Sequence, residues 1–229
     1  MLLAARNLKF AYHTREGAVK ALNGFSAEFP GGVPHFVCGP SGSGKTTLGY
    51  MLSGLFEPSS GDVMLTGVSD ANKRDFAYVF QFAEDLFFED TVADELRQIT
   101  NGGNEKVQLV SARLGIGLSD IMMQHPHRLS AGYARLTAVA LQMVRDPRVL
   151  ILDEPTIGLD WRFHRRMTDA LKNWVSPARI LLVITHDLDL MRELEGQAWV
   201  MSEGSLAWSG EVKALLADES LLERFALRF

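Results

Sequence analysis

Hydrophobic and polar positions alternate at the start of the chain. Leu8, Phe10 and Tyr12 stand against Asn7, Lys9 and Ala11, which predicts a strand over residues 2–12. His13-Thr14-Arg15-Glu16-Gly17 reads as a turn. Phe25, Ala27 and Phe29 then share one face of a second strand, which Pro30-Gly31-Gly32 ends. These two strands predict a β-hairpin lobe. Beyond them the alternation gives way to unbroken apolar runs of strand length. They are His35-Phe36-Val37-Cys38, Val149-Leu150-Ile151-Leu152 and Ile180-Leu181-Leu182-Val183-Ile184, the last within a strand expected over 179–184. Such runs mark strands covered on both faces, as in a parallel sheet. Helix-compatible stretches follow at Thr46–Leu52 and Asp160–Val175. Glu57-Pro58-Ser59-Ser60-Gly61 is a turn signal, and strands are expected at Asp62–Thr66 and Phe76–Phe80. The last part of the chain predicts a hairpin, Ala198–Met201 and Ser205–Trp208 around Glu203-Gly204, and two short helices, Glu211–Leu216 and Leu221–Ala226.

Between about 85 and 145 the β-period disappears. Thr91–Thr100 has Val92, Leu96 and Ile99 on one side, and Thr91 with Asp94 supplies an N-terminal cap. Asn101-Gly102-Gly103-Asn104 interrupts. A second helix is expected over Val107–Leu114, with Val107, Val110 and Leu114 apolar. Ser130 suits the N-cap of a third, ending at Val144. The expected organisation is an α/β core over 1–84 and 146–229, containing the β lobe, with an all-helical subdomain inserted at 85–145.

Composition narrows the classes. The 229 residues are enough for a sizeable core, and the 47% apolar content excludes disorder. A net charge of −5 argues against broad nucleic-acid binding. The single cysteine, Cys38, excludes a disulfide framework and reads as a small buried strand residue, with a reactive thiol as the lesser alternative. No apolar run approaches the roughly 18 residues that span a bilayer, and the first residues lack signal-peptide order. The expectation is a chain soluble by itself, with any membrane role supplied by a partner.

The chemistry centres on Gly39-Pro40-Ser41-Gly42-Ser43-Gly44-Lys45-Thr46-Thr47, which fits G-x-x-x-x-G-K-T, the P-loop pattern, between a strand and a helix. Glycines let backbone N–H groups surround a phosphate, and the helix N-terminus adds partial positive charge. Lys45 reaches the β- and γ-phosphates in such loops, and the Thr46 hydroxyl binds Mg²⁺. The core is therefore expected to be a P-loop NTPase fold. The strand at 149–152 delivers Asp153 and Glu154 to its C-terminal end, where ligands bind in open parallel sheets. Asp153 is the expected Mg²⁺ holder and Glu154 the candidate general base. His186 either hydrogen-bonds the γ-phosphate or the attacking water, or is an ordinary capping histidine. Gln81 either meets Mg²⁺ or water at a strand end, or is simply solvated. Tyr12 either stacks on an adenine or packs on its strand. Arg162, Arg165 and Arg166 read as a solvated helix face.

Taken together, the P-loop, Gln81, Leu129-Ser130-Ala131-Gly132-Tyr133, Leu152-Asp153-Glu154-Pro155, Gly158-Leu159-Asp160 and His186 resemble an ABC transporter ATPase in order and spacing, over nearly the whole chain. The resemblance implies that Tyr12 stacks on adenine and that Gln81 senses Mg²⁺ and couples to a membrane partner. It implies that Ser130 and Gly132 touch the γ-phosphate held by an opposite subunit. Asp160 lies at the dimer interface in that picture, and His186 is the switch histidine. Two subunits, identical or different, then sandwich two ATP molecules head to tail. The expected cofactors are ATP and Mg²⁺. The expected partners are a second ATPase subunit and integral permease subunits, with no nucleic acid, at the cytoplasmic face of the cell membrane.

The stretch Gln81-Phe82-Ala83-Glu84-Asp85-Leu86-Phe87-Phe88-Glu89-Asp90-Thr91-Val92 and the segment from Gly210-Glu211-Val212-Lys213 resemble energy-coupling factor ATPases, which serve cobalt, nickel and vitamin importers. Members of that group often carry a further C-terminal segment, whereas this sequence stops at Phe229. Phe82, Leu86, Phe87 and Phe88 either line a groove for the permease's coupling helix or fill the helical core. Ala131 and Tyr133 replace the family's usual glycine and glutamine. Tyr133 suggests a slowed composite site, as in one half of an asymmetric heterodimer. Trp161 stands where a proline is common, with a packing role as its one expectation. The alternatives are a soluble ABC-family ATPase not coupled to transport, or a regulatory subunit with weakened hydrolysis. The first usually carries a long coiled coil or two cassettes; the intact Lys45, Asp153, Glu154 and His186 count against the second.

Overall fold

Two sheets share one interior. The computed structural model describes the chain apart from residues 16, 69–71, 83–85, 101–104, 106–107, 109–111, 113–119 and 228–229. Most of the helix expected at Val107–Leu114, the interruption Asn101–Asn104, Ala83 to Asp85 and Phe229 lie outside the described residues. In chain order the elements are β1 (Leu2–Thr14), β2 (Gly17–Pro30), β3 (Pro34–Cys38), α1 (Lys45–Leu52), β4 (Ser60–Thr66), β5 (Phe76–Val79), α2 (Val92–Thr100) and α3 (Ala131–Val144). They continue with β6 (Val149–Asp153), α4 (Trp161–Trp174), β7 (Ile180–Ile184), α5 (Leu188–Leu194), β8 (Gln197–Ser202), β9 (Ser205–Glu211), α6 (Val212–Ala217) and α7 (Glu219–Arg224).

β2, β1 and β4 make an antiparallel three-stranded sheet. A six-stranded sheet has the order β5-β6-β7-β3-β8-β9, parallel except for β9. The unbroken apolar runs follow from its position between two layers. Phe36, Leu150, Leu152, Leu181 and Val183 join a core with α3 and α4. Their neighbours Val37, Val149, Ile151, Leu182 and Ile184 join a second core with α1 and the lobe residues Leu3, Leu8, Phe25 and Phe29. Side chains alternate across a strand, so both alternations had to be apolar. At about 25 cal/mol per Å² of apolar surface, this two-sided burial dominates the stability of the site's platform.

Several local expectations need correction. The first hairpin is longer than expected: Tyr12 pairs with Val19 and Thr14 with Gly17, so the ladder runs through His13 and Thr14. Thr14 Oγ1 donates to Gly17 O at 2.8 Å, tightening the turn. A bulge interrupts β1 at Asn7, whose φ is 49°. β5 stops at Val79, one residue before the expected Phe80. The last helix begins two residues earlier than expected because the Asp218 carboxylate accepts from Leu221 N and caps it. α5 was not anticipated; Asp187 caps it by accepting from Asp189 and Leu190 N–H, at 3.0 and 2.9 Å. Among the described residues no helix is long and apolar enough to cross a membrane.

Candidate active site

The C-terminal ends of β6, β7 and β3 lie side by side, and the chain leaves each of them carrying polar side chains. β3 leads into the P-loop, β6 ends in Asp153 and Glu154, and β7 is followed by Thr185 and His186. An open cleft of about 640 Å³ forms there. Tyr12, Gly39, Ser41, Gly42, Gly44, Lys45, Thr46, Thr47, Gln81, Asp153, Glu154 and His186 all line it. Ser43, Ser130, Gly132 and Asp160 do not. Ser43 is buried beneath the loop, where its carbonyl accepts from Gly204 N–H at 3.1 Å.

Gly44 caps α1 in the left-handed region, φ 96°, and a Cβ there would lie 2.3 Å from Ala21 O. Only glycine fits both demands. Lys45 Nζ donates to Gly39 O and Pro40 O, each at 2.8 Å, and so closes the loop on itself. Burial lowers its pKa, opposed by Glu154, Cys38 and Asp153. Tyr12 is hydrogen-bonded through its hydroxyl to Thr47 Oγ1 at 3.1 Å and meets Phe10 edge-on at 5.0 Å. It remains 37% exposed, so part of the ring is presented to the cleft. Gln81 is exposed.

Asp153 is buried, and that burial raises its pKa. Hydrogen bonds from the Tyr78 hydroxyl, at 2.8 Å to Oδ2, and from Thr46, with the charge of Lys45, oppose the rise. Tyr78 itself is held protonated, first by burial and then by the Asp153 charge.

Glu154 is fixed at five points. Its N–H donates to Ile184 O at 2.8 Å, and its carbonyl accepts from Arg135 Nη1 at 2.7 Å and from Ile157 N–H at 3.4 Å. Oε1 accepts from His186 Nδ1 at 2.7 Å, and Oε2 accepts from Thr185 Oγ1 at 3.2 Å. Its φ is 49°, a left-handed conformation that costs a non-glycine residue about 1–2 kcal/mol. The bonds around it offset that cost. His186 Nδ1 is engaged by the carboxylate, and the imidazole side chain is 42% exposed on the cleft side. The next residue, Asp187, accepts from Thr156 Oγ1 at 2.6 Å and His164 Nε2 at 2.9 Å on one oxygen. Burial of Asp187 raises its pKa but is outweighed by these hydrogen bonds, and the net shift is downward. This cluster ties the start of α5 to α4 and to the segment after Glu154.

The residues away from the cleft sit on α3 and α4. Ser130 caps α3, accepting from Tyr133 N–H at 3.4 Å. Gly132 is buried against α4: a Cβ there would meet the Phe163 ring at 2.6 Å. Tyr133 stands edge-on to Phe163 at 5.0 Å. Asp160 caps α4 through Arg162 and Phe163 N–H, at 2.9 and 3.0 Å. Arg162, Arg165 and Arg166 are exposed, as expected. The packing role expected of Trp161 is wrong, since its ring is 70% exposed with the Arg162 guanidinium 5.5 Å from it. The aromatic cluster divides: Phe87 is buried, Leu86 is partly buried, and Phe82 and Phe88 are exposed. Cys38 is fully buried and its thiol is pushed up to about 12, mainly by burial, which overturns the reactive-thiol alternative.

Sequence reasoning missed Arg135, Tyr78, Thr185 and the His164–Thr156–Asp187 cluster. Arg135 sits within the third predicted helix and was a visible charged residue in an apolar face. Its partner lies 19 residues on, beyond any local pattern.

A P-loop on a parallel strand, two carboxylates on the next strand but one and an added helical region define a nucleoside-triphosphate-binding protein. Residues 22–157 match the ABC transporter family. The chain belongs to that family and is an ATP-binding ATPase. It is 30% identical to the energy-coupling factor transporter ATP-binding protein EcfA2 of Mycoplasma pneumoniae, over 96% of this chain and 79% of that protein. It is 31% identical to the cobalt import ATP-binding protein CbiO of Rhodobacter capsulatus, over 99% of this chain and 85% of that one. Among solved structures it resembles cbiO1 from Clostridium perfringens, part of the ABC transporter complex cbiONQ, with a TM-score of 0.79 and 26% identity, covering 99% of this chain and 95% of that one. A dimeric ATP-binding cassette bound to ADP and Pi shares the fold, with a TM-score of 0.80 and 20% identity over 92% of this chain and 98% of that one.

Proposed function

We propose that this chain is the ATP-hydrolysing subunit of an importer, dimerising on ATP to drive a separate membrane permease for a metal ion or a vitamin. The observation that carries the reading is a division of residues. Lys45, Asp153, Glu154, His186 and Gln81 line one cleft, while Ser130 and Gly132 lie apart from it on α3. A second subunit, placed head to tail, would bring its Ser130 and Gly132 over this cleft. In this reading residues 1–84 and 146–229 form the ATPase core and 85–145 the helical subdomain. The exposed Phe82 and Phe88 supply apolar anchors for the permease, and the protein sits peripherally at the cytoplasmic face of the membrane.

The backbone N–H groups of the P-loop and Lys45 bind and orient the phosphates. Tyr12 offers its ring to the base. Thr46 and Asp153 offer a hydroxyl and a carboxylate to the cleft and Gln81 has an amide oxygen, hard donors that suit Mg²⁺. Among the described residues no group of three or more His, Cys, Asp or Glu could hold a metal. That fits an ion shared with substrate phosphates, because Mg²⁺ is commonly held by one or two carboxylates plus phosphate. When bound it neutralises charge on the phosphate oxygens. Glu154 takes the proton of the attacking water, and His186 steadies that carboxylate. Groups in such a role contribute about 10²–10⁴-fold.

Glu154→Gln tests the reading. It is expected to keep ATP binding, abolish turnover and accumulate as a dimer with ATP in a size measurement. A variant that stays monomeric with ATP would overturn the two-subunit sandwich for this chain alone, and retained turnover would remove Glu154 from its role.

A further inference from the structure

We propose that Arg135 is a positioning residue for Glu154, carrying the seating of helix α3 to the carboxylate by fixing the Glu154 carbonyl. The inference rests on Glu154 acting as the base. Of the five groups that hold Glu154, three come from one stretch, Ile184 O, Thr185 Oγ1 and His186 Nδ1, and a fourth, Ile157 N–H at 3.4 Å, from the turn just after it. The fifth, Arg135 Nη1 at 2.7 Å, comes from α3, the helix capped by Ser130.

The backbone contacts divide the work. The Glu154 N–H bond to Ile184 O fixes one side of the residue to β7. The Arg135 bond, shorter than the 3.4 Å turn bond from Ile157 N–H, fixes the other, and together they hold φ at 49°. The residue after Glu154 is Pro155, whose missing N–H leaves this peptide to be steadied through the Glu154 carbonyl, which accepts a long turn bond from Ile157 N–H at 3.4 Å beside the short one from Arg135. A cation on the carbonyl is a strong donor, and a planar guanidinium defines the direction of that carbonyl better than an ammonium does. A tilt of α3 therefore passes into the direction of the Glu154 side chain without touching the phosphate cradle. Lys45 and Thr46 belong to α1, on the other side of the sheet.

Loss of the Arg135 bond lets Glu154 leave its left-handed conformation and take the carboxylate out of line. Misplacement on the scale of 1 Å costs up to about 100-fold in rate. Steady-state ATPase kinetics, ATP binding followed with a fluorescent ATP analogue, and melting curves are measured on the full chain as wild type, Arg135→Met, Arg135→Lys and Glu154→Gln. Arg135→Met is expected to lower kcat by about 10- to 100-fold while KM and the analogue's Kd stay within about twofold. Arg135→Lys is expected to recover part of kcat. A wild-type kcat in Arg135→Met overturns the proposal, and so does a parallel loss of kcat and nucleotide affinity, which marks a merely structural role. If Arg135→Met does not fold, Arg135→Lys decides: reduced kcat with unchanged Kd supports the proposal, and wild-type kcat overturns it. A dead Glu154→Gln beside a normal Arg135→Met removes this inference alone; an active Glu154→Gln removes the underlying reading.

Discussion

Gly132→Ala tests whether close approach of α3 and α4 is the reason for glycine in the signature stretch. The added Cβ would lie 2.6 Å from two Phe163 ring atoms and 2.9 Å from a third. Carbon atoms prefer about 3.5–4.0 Å, so ring or helix must retreat by about 1 Å. The ring is hemmed in by Tyr133, edge-on at 5.0 Å, and by the Arg166 guanidinium 5.8 Å away. Overpacking of this kind costs about 1–3 kcal/mol. Replacing a helical glycine by alanine returns about 0.5–1 kcal/mol of backbone entropy. The net loss is about 0–2.5 kcal/mol, which in a chain of this size lowers Tm by up to roughly 10 °C. In a Phe163→Ala background all three of the nearest atoms are gone, and the entropic gain remains. There Gly132→Ala is expected to raise Tm by roughly 1–4 °C. Thermal melts of the four proteins of this double-mutant cycle give the sign directly. Equal losses in both backgrounds would refute the steric account, and so would an unchanged Tm in both.

Three further outcomes follow from the structure. His35 is fully buried, with Nδ1 accepting from Trp199 Nε1 at 3.3 Å and Nε2 facing Pro30 O at 2.8 Å, and burial lowers its pKa. Its folded pKa lies below the unfolded value of 6.5, so its contribution to stability is complete above that pH and is lost as pH falls, by at most about 1.4 kcal/mol per pH unit; melts from pH 8 to 5.5 should show this acid slope in wild type and a shallower one in His35→Gln. Cys38, with its thiol raised to about 12, should resist a thiol reagent in the native chain at pH 8 and react with one equivalent in denaturant; rapid native labelling contradicts the burial. Tyr133→Gln should lower Tm through loss of an aromatic pair worth about 0.5–1.5 kcal/mol and raise the ATPase rate; an unchanged rate disposes of the slowed-site reading.

Much of the fold was legible because each element carries a local signal. The P-loop needs no tertiary information, since its glycines, lysine and threonine are consecutive. The two-layer burial of the central sheet shows in the unbroken apolar runs. α5 was missed although its signal existed: Asp187 as cap, then Leu190, Met191 and Leu194 at helical spacing. It is one of the shorter helices, and the polar end of β7 masked its start. The Arg135–Glu154 bond and the Asp187 cluster were not legible, because their partners are 19 to 31 residues apart and no periodicity links them. The residues that line the cleft were easier to read in the sequence than their contacts. Lys45 illustrates this: its place in a P-loop pattern was readable, but its two bonds to Gly39 O and Pro40 O were not.

Strand order also dictates how the protein is made. β3, which carries the P-loop, is flanked by β7 on one side and β8 on the other. Neither neighbour exists until residues 180–184 and then 197–202 have left the ribosome. The phosphate-binding strand is thus an early segment, apolar apart from His35, with both backbone edges unpaired until those residues emerge. Such segments are vulnerable to aggregation until long-range pairing closes over them. A nascent chain halted before β7 therefore carries a complete P-loop on a strand that has neither of its sheet neighbours.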